Sequence, residues 1–401
     1  MAGILKRTAA AAALVVLILA VAGSAAGSKA PKCSIRGTGG PDRIVGTRHR
    51  DVICGLGDGD EIHGGGGNDV ILGGAGDDAI YGDGGRDRLF GGTGNDTFLA
   101  RDGKRDAIDG GPARDRGLLD RDRTKSVEER FSRRREGDVV ALAAGDIASC
   151  AARGDDATAI LLDLFPRATV ATLGDNAYDH GSPSDFAKCY GPTWGRAKAR
   201  THPSIGDHEY DTSAGSGYFG YFGAAAGNPA TAYYSYDLGN WHVVVLNTSC
   251  AEVGGCGAHS AEAQWLRADL TAHPARCTLV YGHRALFSSS NKAASALRPF
   301  WQILYDAGAD VVLAGNNHVY ERFAPQTPAG APDPSRGLRE FVVGTGGQSH
   351  GSFGTVEAQS EVRNRETFGV LALTLNSASY SWRFVPVAGK TFSDRGSSAC
   401  H

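Results

Sequence analysis

The sequence predicts two regions of different class. Residues from about 36 to 112 read as an all-β parallel β-roll, and residues 137–401 as an α/β (α+β) sandwich of two packed sheets flanked by helices. The first expectation rests on a nine-residue period of glycine, aspartate and one apolar residue. The second rests on apolar, strand-like runs that alternate with helical patterns and then give way to mostly strands toward the C-terminus. A chain of 401 residues holds both, the larger region with a substantial core.

The repeat keeps strict phase. Gly46, Gly55, Gly64, Gly73, Gly82 and Gly91 open successive units, Asp51, Asp60, Asp69, Asp78, Asp87 and Asp96 hold the sixth position, and Ile53, Ile62, Ile71, Ile80, Leu89 and Phe98 the eighth. Glycine permits the tight turn and exposes carbonyl oxygens, and the aspartate supplies a hard anionic oxygen suited to calcium. The apolar residue points into a narrow core shared with the next coil. One such residue per unit does not offset chain entropy, so stacking and calcium must both contribute. A disordered Gly/Asp-rich linker has this composition but no reason to keep phase over six units.

The best units, Gly64-Gly65-Gly66-Gly67-Asn68-Asp69 and Gly91-Gly92-Thr93-Gly94-Asn95-Asp96, resemble the RTX calcium-binding repeat, which implies calcium at the six aspartates named. Thr47-Arg48-His49-Arg50 and Leu56-Gly57-Asp58-Gly59 lack parts of the glycine pattern, so the first turns are expected to bind weakly. Past Phe98 the phase slips near Lys104, and Asp106, Ile108 and Gly110-Gly111 read as an irregular final turn. Residues 113–136, dense in Arg, Asp and Lys, read as a charged cap and linker, with a basic tether to an anionic cell surface as the alternative.

At the start of the chain, Lys6 and Arg7 precede an apolar run from Ala9 to Ala22 and then small residues, an export signal over 1–26 with cleavage near Ala22 or Ala26. The run is shorter than the ~20 residues a membrane anchor needs. Eight cysteines, an even count, fit a secreted, extracellular chain with disulfides. Cys250 and Cys256 flank a Gly-rich loop and are the easiest pair, Cys33 and Cys54 stand apart from the other six, and the remaining pairings stay open. A net charge of −3 makes no case for nucleic-acid binding.

In the larger region, Asp138 to Ala144, Thr169 to Leu173, Trp241 to Asn247, Cys277 to Tyr281, Asp310 to Ala314 and Glu340 to Val343 read as strands. Ser260 to Ala272, with Ser260 as N-cap, and Ala293 to Ala307 read as helices. Five short pieces then form a set: Gly145-Asp146, Gly174-Asp175-Asn176-Ala177-Tyr178, Gly206-Asp207-His208-Glu209, Gly282-His283 and Gly315-Asn316-Asn317-His318. All but the third end an apolar run. A lone Gly-Asp is usually a turn and a lone His usually structural. Oxygen and nitrogen ligands arriving on five separate loops suit a two-metal hydrolytic site.

The order of these pieces resembles the calcineurin-like metallophosphoesterases, most closely their purple-acid-phosphatase-like branch, over Val139 to the C-terminus. The resemblance implies a secreted hydrolase of phosphate monoesters, with diesters second, that uses a metal-activated hydroxide. It places Asp146 on the first metal, Asp175 between both, and Tyr178 as a phenolate ligand that favours iron. Ala148, where the other branch has His, supports that choice, and His318 completes the first site. His283 and Asp207 would hold the second metal, zinc or manganese, and His208 would orient phosphate or protonate the leaving oxygen. Val319-Tyr320-Glu321-Arg322 matches the branch's last motif, with structural side chains.

Two positions depart from the family. Asp207 stands for the usual Asn and Asn316 for the usual His, exchanges that favour an oxygen-preferring cation such as calcium, magnesium or manganese at the second site. Arg284 is open to two readings, a clamp on a phosphate oxygen or a surface charge. A second function class follows from Asn316: a calcium-stabilised surface or matrix-binding protein whose phosphatase fold is catalytically impaired.

Overall fold

The computed structural model describes residues 32–131 and 139–401. The export signal expected over 1–26 lies outside them, as does the stretch 132–138 that joins the roll to the larger body.

In the larger body a six-stranded sheet runs in the order Thr201–Ser204, Thr169–Leu173, Val139–Ala144, Gly369–Leu375, Ser379–Pro386, Arg395–Ala399. The first three are parallel and the others antiparallel. A seven-stranded sheet runs Tyr234–Leu238, Trp241–Val245, Cys277–Tyr281, Val311–Ala314, Arg339–Val343, Tyr320–Phe323, Ser360–Asn364. Strand alternation sorts its side chains. Val243, Val245, Leu279, Tyr281, Val311 and Leu313 join the core between the sheets. Val244, Val280 and Val312 face the other way, onto Leu266, Phe300, Trp301 and Leu304. Those four belong to the helices Ala261–Ala272 and Arg298–Asp306. Full burial of each such side chain contributes about 1.5–3 kcal/mol.

The Ser260 side chain caps the first of these helices by accepting from the Ala263 amide at 3.2 Å. The second, read from Ala293, is α-helical only from Arg298. Pro299 in its first turn has no amide to give a preceding turn, so the helix starts there. All eight cysteines are paired: Cys33–Cys54, Cys150–Cys189, Cys250–Cys256 and Cys277–Cys400.

Each coil of the roll is made of a pair of nine-residue units, so strand neighbours lie 18 residues apart, as Ile53 beside Ile71 and Ile62 beside Ile80. The coils form two all-parallel six-stranded sheets. Every eighth-position residue from Ile53 to Phe98 is fully buried between them. The phase slip after Phe98 is absorbed as one extra residue, since Arg88 pairs with Ala107, and Ile108 still reaches the core. The segment read as cap and linker continues the sheets with Arg116–Leu119, Arg123–Lys125 and Glu129–Phe131. Its charged composition hid Leu118, Leu119, Val127 and Phe131, all buried. Leu118 and Phe131 join the core of the larger body, Phe131 edge-on to Phe165 at 5.4 Å. Tyr81 donates to Asp163 at 2.8 Å, and Arg196 spans Glu61 at 2.9 Å and Asp163 at 3.3 Å.

The repeat aspartates form a ladder along the coils. Oδ1 of Asp60, Asp69, Asp78, Asp87, Asp96, Asp106 and Asp115 accepts the amide of the aspartate one coil earlier, at 2.7 to 3.0 Å. Oδ2 of Asp60, Asp69, Asp78, Asp87, Asp96 and Asp115 is buried and has no hydrogen-bond partner among the described residues. The glycine that opens a unit makes room for this oxygen: a Cβ on Gly73 or Gly91 would collide with Asp78 or Asp96 Oδ2. Asp51 differs. Thr47 donates to its Oδ2 from amide and hydroxyl, both at 2.8 Å, and Ser34 to Oδ1 at 3.3 Å. These bonds, Thr47's first, hold its carboxyl below the ordinary range.

Burial pushes Asp87 and Asp115 up to about 6, Asp78 and Asp106 to about 7 and Asp96 to about 8, from an ordinary 3.8. The calcium-free folded roll therefore keeps protons that the unfolded chain releases near pH 4. That stability is full below about pH 4 and is lost as pH rises to about 8. Calcium requires the ionised carboxylates and reverses the slope. Melting of the whole protein in chelator should fall from pH 5 to pH 8, and added calcium should raise it most at pH 8. Parallel pH profiles with and without calcium would contradict this.

Candidate metal centre

The ligand-type residues arrive on loops at the ends of neighbouring strands. Val139–Ala144 leads to Asp146, Thr169–Leu173 to Asp175 and Tyr178, Cys277–Tyr281 to His283, and Val311–Ala314 to Asn316 and His318. Asp207 and His208 also follow a strand, Thr201–Ser204, that the sequence does not reveal. It is a four-residue edge strand containing Pro203, without an apolar run. Backbone φ is positive at Asp146 (58°), Asp175 (49°), Asn316 (64°) and His318 (52°), a left-handed cluster of the kind found at functional sites. The preceding glycines have a steric cause. A Cβ on Gly206 would collide with Asp175 Oδ1, and one on Gly174 would lie 2.5 Å from His283 Nδ1.

Asp175 is shared by two groups of side chains. On one side, Tyr178 Oη lies 2.7 Å from Asp175 Oδ2, 3.0 Å from Asp146 Oδ1 and 3.5 Å from His318 Nε2, and His318 Nε2 lies 3.2 Å from Asp146 Oδ1. On the other, His283 Nε2 is 3.3 Å from Asp175 Oδ2 and 2.9 Å from Asp207 Oδ1. The His208 amide donates to Asp175 Oδ1 at 3.1 Å. The His208 ring, with Nδ1 at 2.5 Å from the Asp179 carbonyl oxygen, leaves Nε2 3.9 Å from Asp175 Oδ2. Arg284 lies half-exposed against Asp207, Nη2 3.3 Å from Oδ2, so it is drawn to the site rather than free on the surface. Asn316 is buried, and its backbone carbonyl accepts from Lys292 Nζ at 2.9 Å. Its side-chain amide makes no hydrogen bond among the described residues.

Three groups to which motif reading gives no role orient this cluster. His283 Nδ1 meets the Leu173 carbonyl oxygen at 2.9 Å and His318 Nδ1 meets Ser349 Oγ at 2.7 Å, which turns each Nε2 inward. The Glu209 carboxylate accepts from the amides of Asn176 (2.6 Å), Gly206 (2.7 Å) and Asp175 (3.1 Å), tying two ligand loops together. Burial first, then the Asp175 charge, raises Glu209 to about 7. The only sequence signal for Glu209 is its place directly after Asp207-His208; Ser349 follows the Gly344-Thr345-Gly346-Gly347 run.

Burial pushes the Asp175 carboxyl up, but His283, His208 and the Tyr178 hydroxyl outweigh it and hold Asp175 below its ordinary range. Burial opposes a charge on His283, yet Asp175 and Asp207 raise its pKa well above that of a free imidazole. Burial, Asp146 and Asp175 all raise Tyr178.

The donor set fits a pair of cations. Ligand atoms of Asp146, Asp175 and His283 all lie within 4.8 Å of one another. Asp146 Oδ2 is buried without a hydrogen-bond partner among the described residues, and the fully buried His283 Nε2 faces the carboxylates of Asp175 and Asp207. Carboxylate oxygen and imidazole nitrogen left in this state are what a metal ligand requires. Asp146, Tyr178, His318 and Asp175 would hold one cation, and Asp175, Asp207 and His283 the other. By contrast Tyr320 and Arg322 bind Asp394, both at 2.7 Å, and Glu321 accepts the Ser289 amide at 2.8 Å, a structural motif behind the site.

Comparison with known proteins agrees with both halves. The family described as the RTX calcium-binding nonapeptide repeat (4 copies) matches residues 34–62 and 63–98. Purple acid phosphatase 21 of Arabidopsis thaliana is 34% identical over 129 residues, 30% of this chain and 28% of that protein. Acid phosphatase A of Cryphonectria parasitica is 27% identical over 177 residues, 38% of this chain and 35% of that one. The chain thus spans about a third or less of the length of these curated relatives. The structure of the purple acid phosphatase PPD1 from yellow lupin (Lupinus luteus) seeds superimposes with a TM-score of 0.54 at 16% identity, over 66% of this chain and 54% of that one. The chain joins a region that matches the RTX calcium-binding repeat to a body with the fold of the lupin purple acid phosphatase.

Proposed function

We propose that this protein is a secreted, metal-dependent phosphoesterase that hydrolyses phosphate monoesters, and diesters second, with a calcium-loaded repeat region. The observation that carries the reading is the Asp175 carboxylate shared between Asp146, Tyr178 and His318 on one side and Asp207 and His283 on the other. The four disulfides support export, because such bonds persist in oxidising compartments. Two cations held there would withdraw electron density from a phosphoryl group and lower the pKa of water.

The chain's own residues supply the rest. His208 Nε2, at the exposed side of the cluster, is placed to orient a phosphate oxygen or give a proton to the leaving oxygen. Burial opposes a charge on that ring, yet Asp175 and the Asp179 carbonyl oxygen raise its pKa in the metal-free chain. Arg284 holds Asp207 and offers further donors to a phosphate oxygen. The second reading, a surface-binding protein with an impaired site, draws on the same contact. A guanidinium 3.3 Å from Asp207 competes with a cation for that carboxylate.

Stripped protein reloaded with iron plus zinc, with manganese or with calcium should hydrolyse an aryl phosphate monoester. Asp175→Asn should lower turnover by more than about 100-fold while the fold survives. No turnover with any metal in a folded protein would favour the second reading. A second prediction concerns metal choice. If oxygen at Asp207 and Asn316 sets the preference of the second site, the double variant Asp207→Asn, Asn316→His should take up zinc at least about tenfold more tightly than the native chain. Elemental analysis after equilibrium dialysis measures this without any assay of activity. Unchanged zinc uptake would remove these two residues as the cause.

A further inference from the structure

We propose that the cleft between the last coils of the roll and the hairpin that follows Ser379–Pro386 binds a tetrahedral dianion of the phosphate class. The proposal is independent of the hydrolase reading, and the cleft shares no residue with the cluster around Asp175. The roll contributes Arg114, Arg116 and Glu129 to its walls, and the hairpin side contributes Arg383, Lys390 and the hydroxyl residues Thr391 and Ser393.

Charge is the first argument. Four cationic side chains line the cleft against one carboxylate, and that carboxylate, Glu129, is already paired with Arg383. Asp77 stands behind the wall, its Oδ1 accepting from the Asn95 amide at 2.7 Å. Counting it, four positive charges face two negative ones, an excess of two that a single phosphate or sulfate dianion would balance.

Arg116 supplies a second, independent argument. It is only 7% exposed, yet its guanidinium donates to neutral acceptors alone, Thr97 Oγ1 at 3.1 Å and the Pro386 carbonyl oxygen at 2.8 Å. No carboxylate lies in ion-pair range of it among the described residues. A buried guanidinium without a counter-charge is costly. Burial and the nearby Arg383 already draw its pKa down to about 10. Its planar fork of donors suits a phosphoryl group better than a monovalent anion. The walls come from both the roll and the larger body, so a bound dianion would also tie the hairpin to the roll.

The test uses the whole calcium-loaded protein in chloride buffer, titrated calorimetrically with sodium sulfate and, separately, inorganic phosphate. Arg114 and Lys390 are exposed rim residues whose removal leaves the buried pairs in place. Saturable binding should weaken at least tenfold in the double variant R114A/K390A and persist in Asp175→Asn. With Asp175→Asn as the background, which removes the metal centre as a competing phosphate site, binding that survives R114A/K390A, is absent altogether, or is matched by chloride at equal ionic strength would overturn the proposal. So would the absence of binding to the native chain. Glycerol phosphate, a dianionic monoester, in place of the free ions separates the sources: tighter binding assigns the cleft to an esterified phosphate, and weaker binding to the free dianion.

Discussion

Both halves of this molecule bury carboxylates that their own chain satisfies on one oxygen only. In the roll, one oxygen of each ladder aspartate takes an amide from the previous coil and the other, in Asp60, Asp69, Asp78, Asp87, Asp96 and Asp115, takes nothing. In the larger body, Asp146 is in the same condition: Tyr178 donates to its Oδ1 and Oδ2 takes nothing. A buried, unpaired carboxylate costs several kcal/mol unless it is neutralised or meets a cation. Protons answer this at low pH and metal ions at neutral pH. Cation binding would therefore add to the stability of these folds.

Glycine is the steric counterpart of that electrostatic arrangement. The residue ahead of Asp78 or Asp96 by five places, and the residue ahead of Asp207 by one, must lack a Cβ because a carboxylate oxygen occupies its space. The Gly-Asp pattern that runs through the sequence is thus one device used twice. In the roll it sets a ladder of oxygens along an axis; at the sheet ends it lets loops from five strands converge on one carboxylate, Asp175.

The same constraint decides what is legible in the residues alone. The period of the roll is legible because each coil repeats one physical demand, so Ile53 through Phe98 identify the core and the aspartates the ladder. The two-sheet body is legible in its apolar central strands. The strand Thr201–Ser204 is not, because an edge strand need not be apolar. Arg116–Leu119 and Glu129–Phe131 are hidden by charged neighbours that face solvent or the cleft while Leu118 and Phe131 face inward. At the site, ligand types are legible because chemistry restricts them to Asp, His, Tyr and Asn. Their supports are not: Glu209 acts by accepting amides and Ser349 by one hydroxyl contact, roles that many residue types fill elsewhere.

The placement of Leu118 and Phe131 also decides how the two halves depend on each other. A roll attached by a flexible linker would gain and lose calcium without consequence for the sheets beyond it. Here the final coil supplies side chains to the core of the larger body, and Tyr81, Glu61 and Arg116 add polar contacts along the same flank. Any cation that favours the folded roll favours, by mass action, the state in which those contacts exist. The ladder aspartates nearest the junction, Asp96 and Asp115, lie in the coils that carry Arg116 and Glu129. Calcium bound there bears on the shape of the basic cleft and on the body behind it, and calcium at Asp60 lies beside Glu61, which meets Arg196 of the body. The coil that begins the roll, where Thr47 and Ser34 satisfy Asp51 without a metal, is also the one farthest along the ladder from that junction.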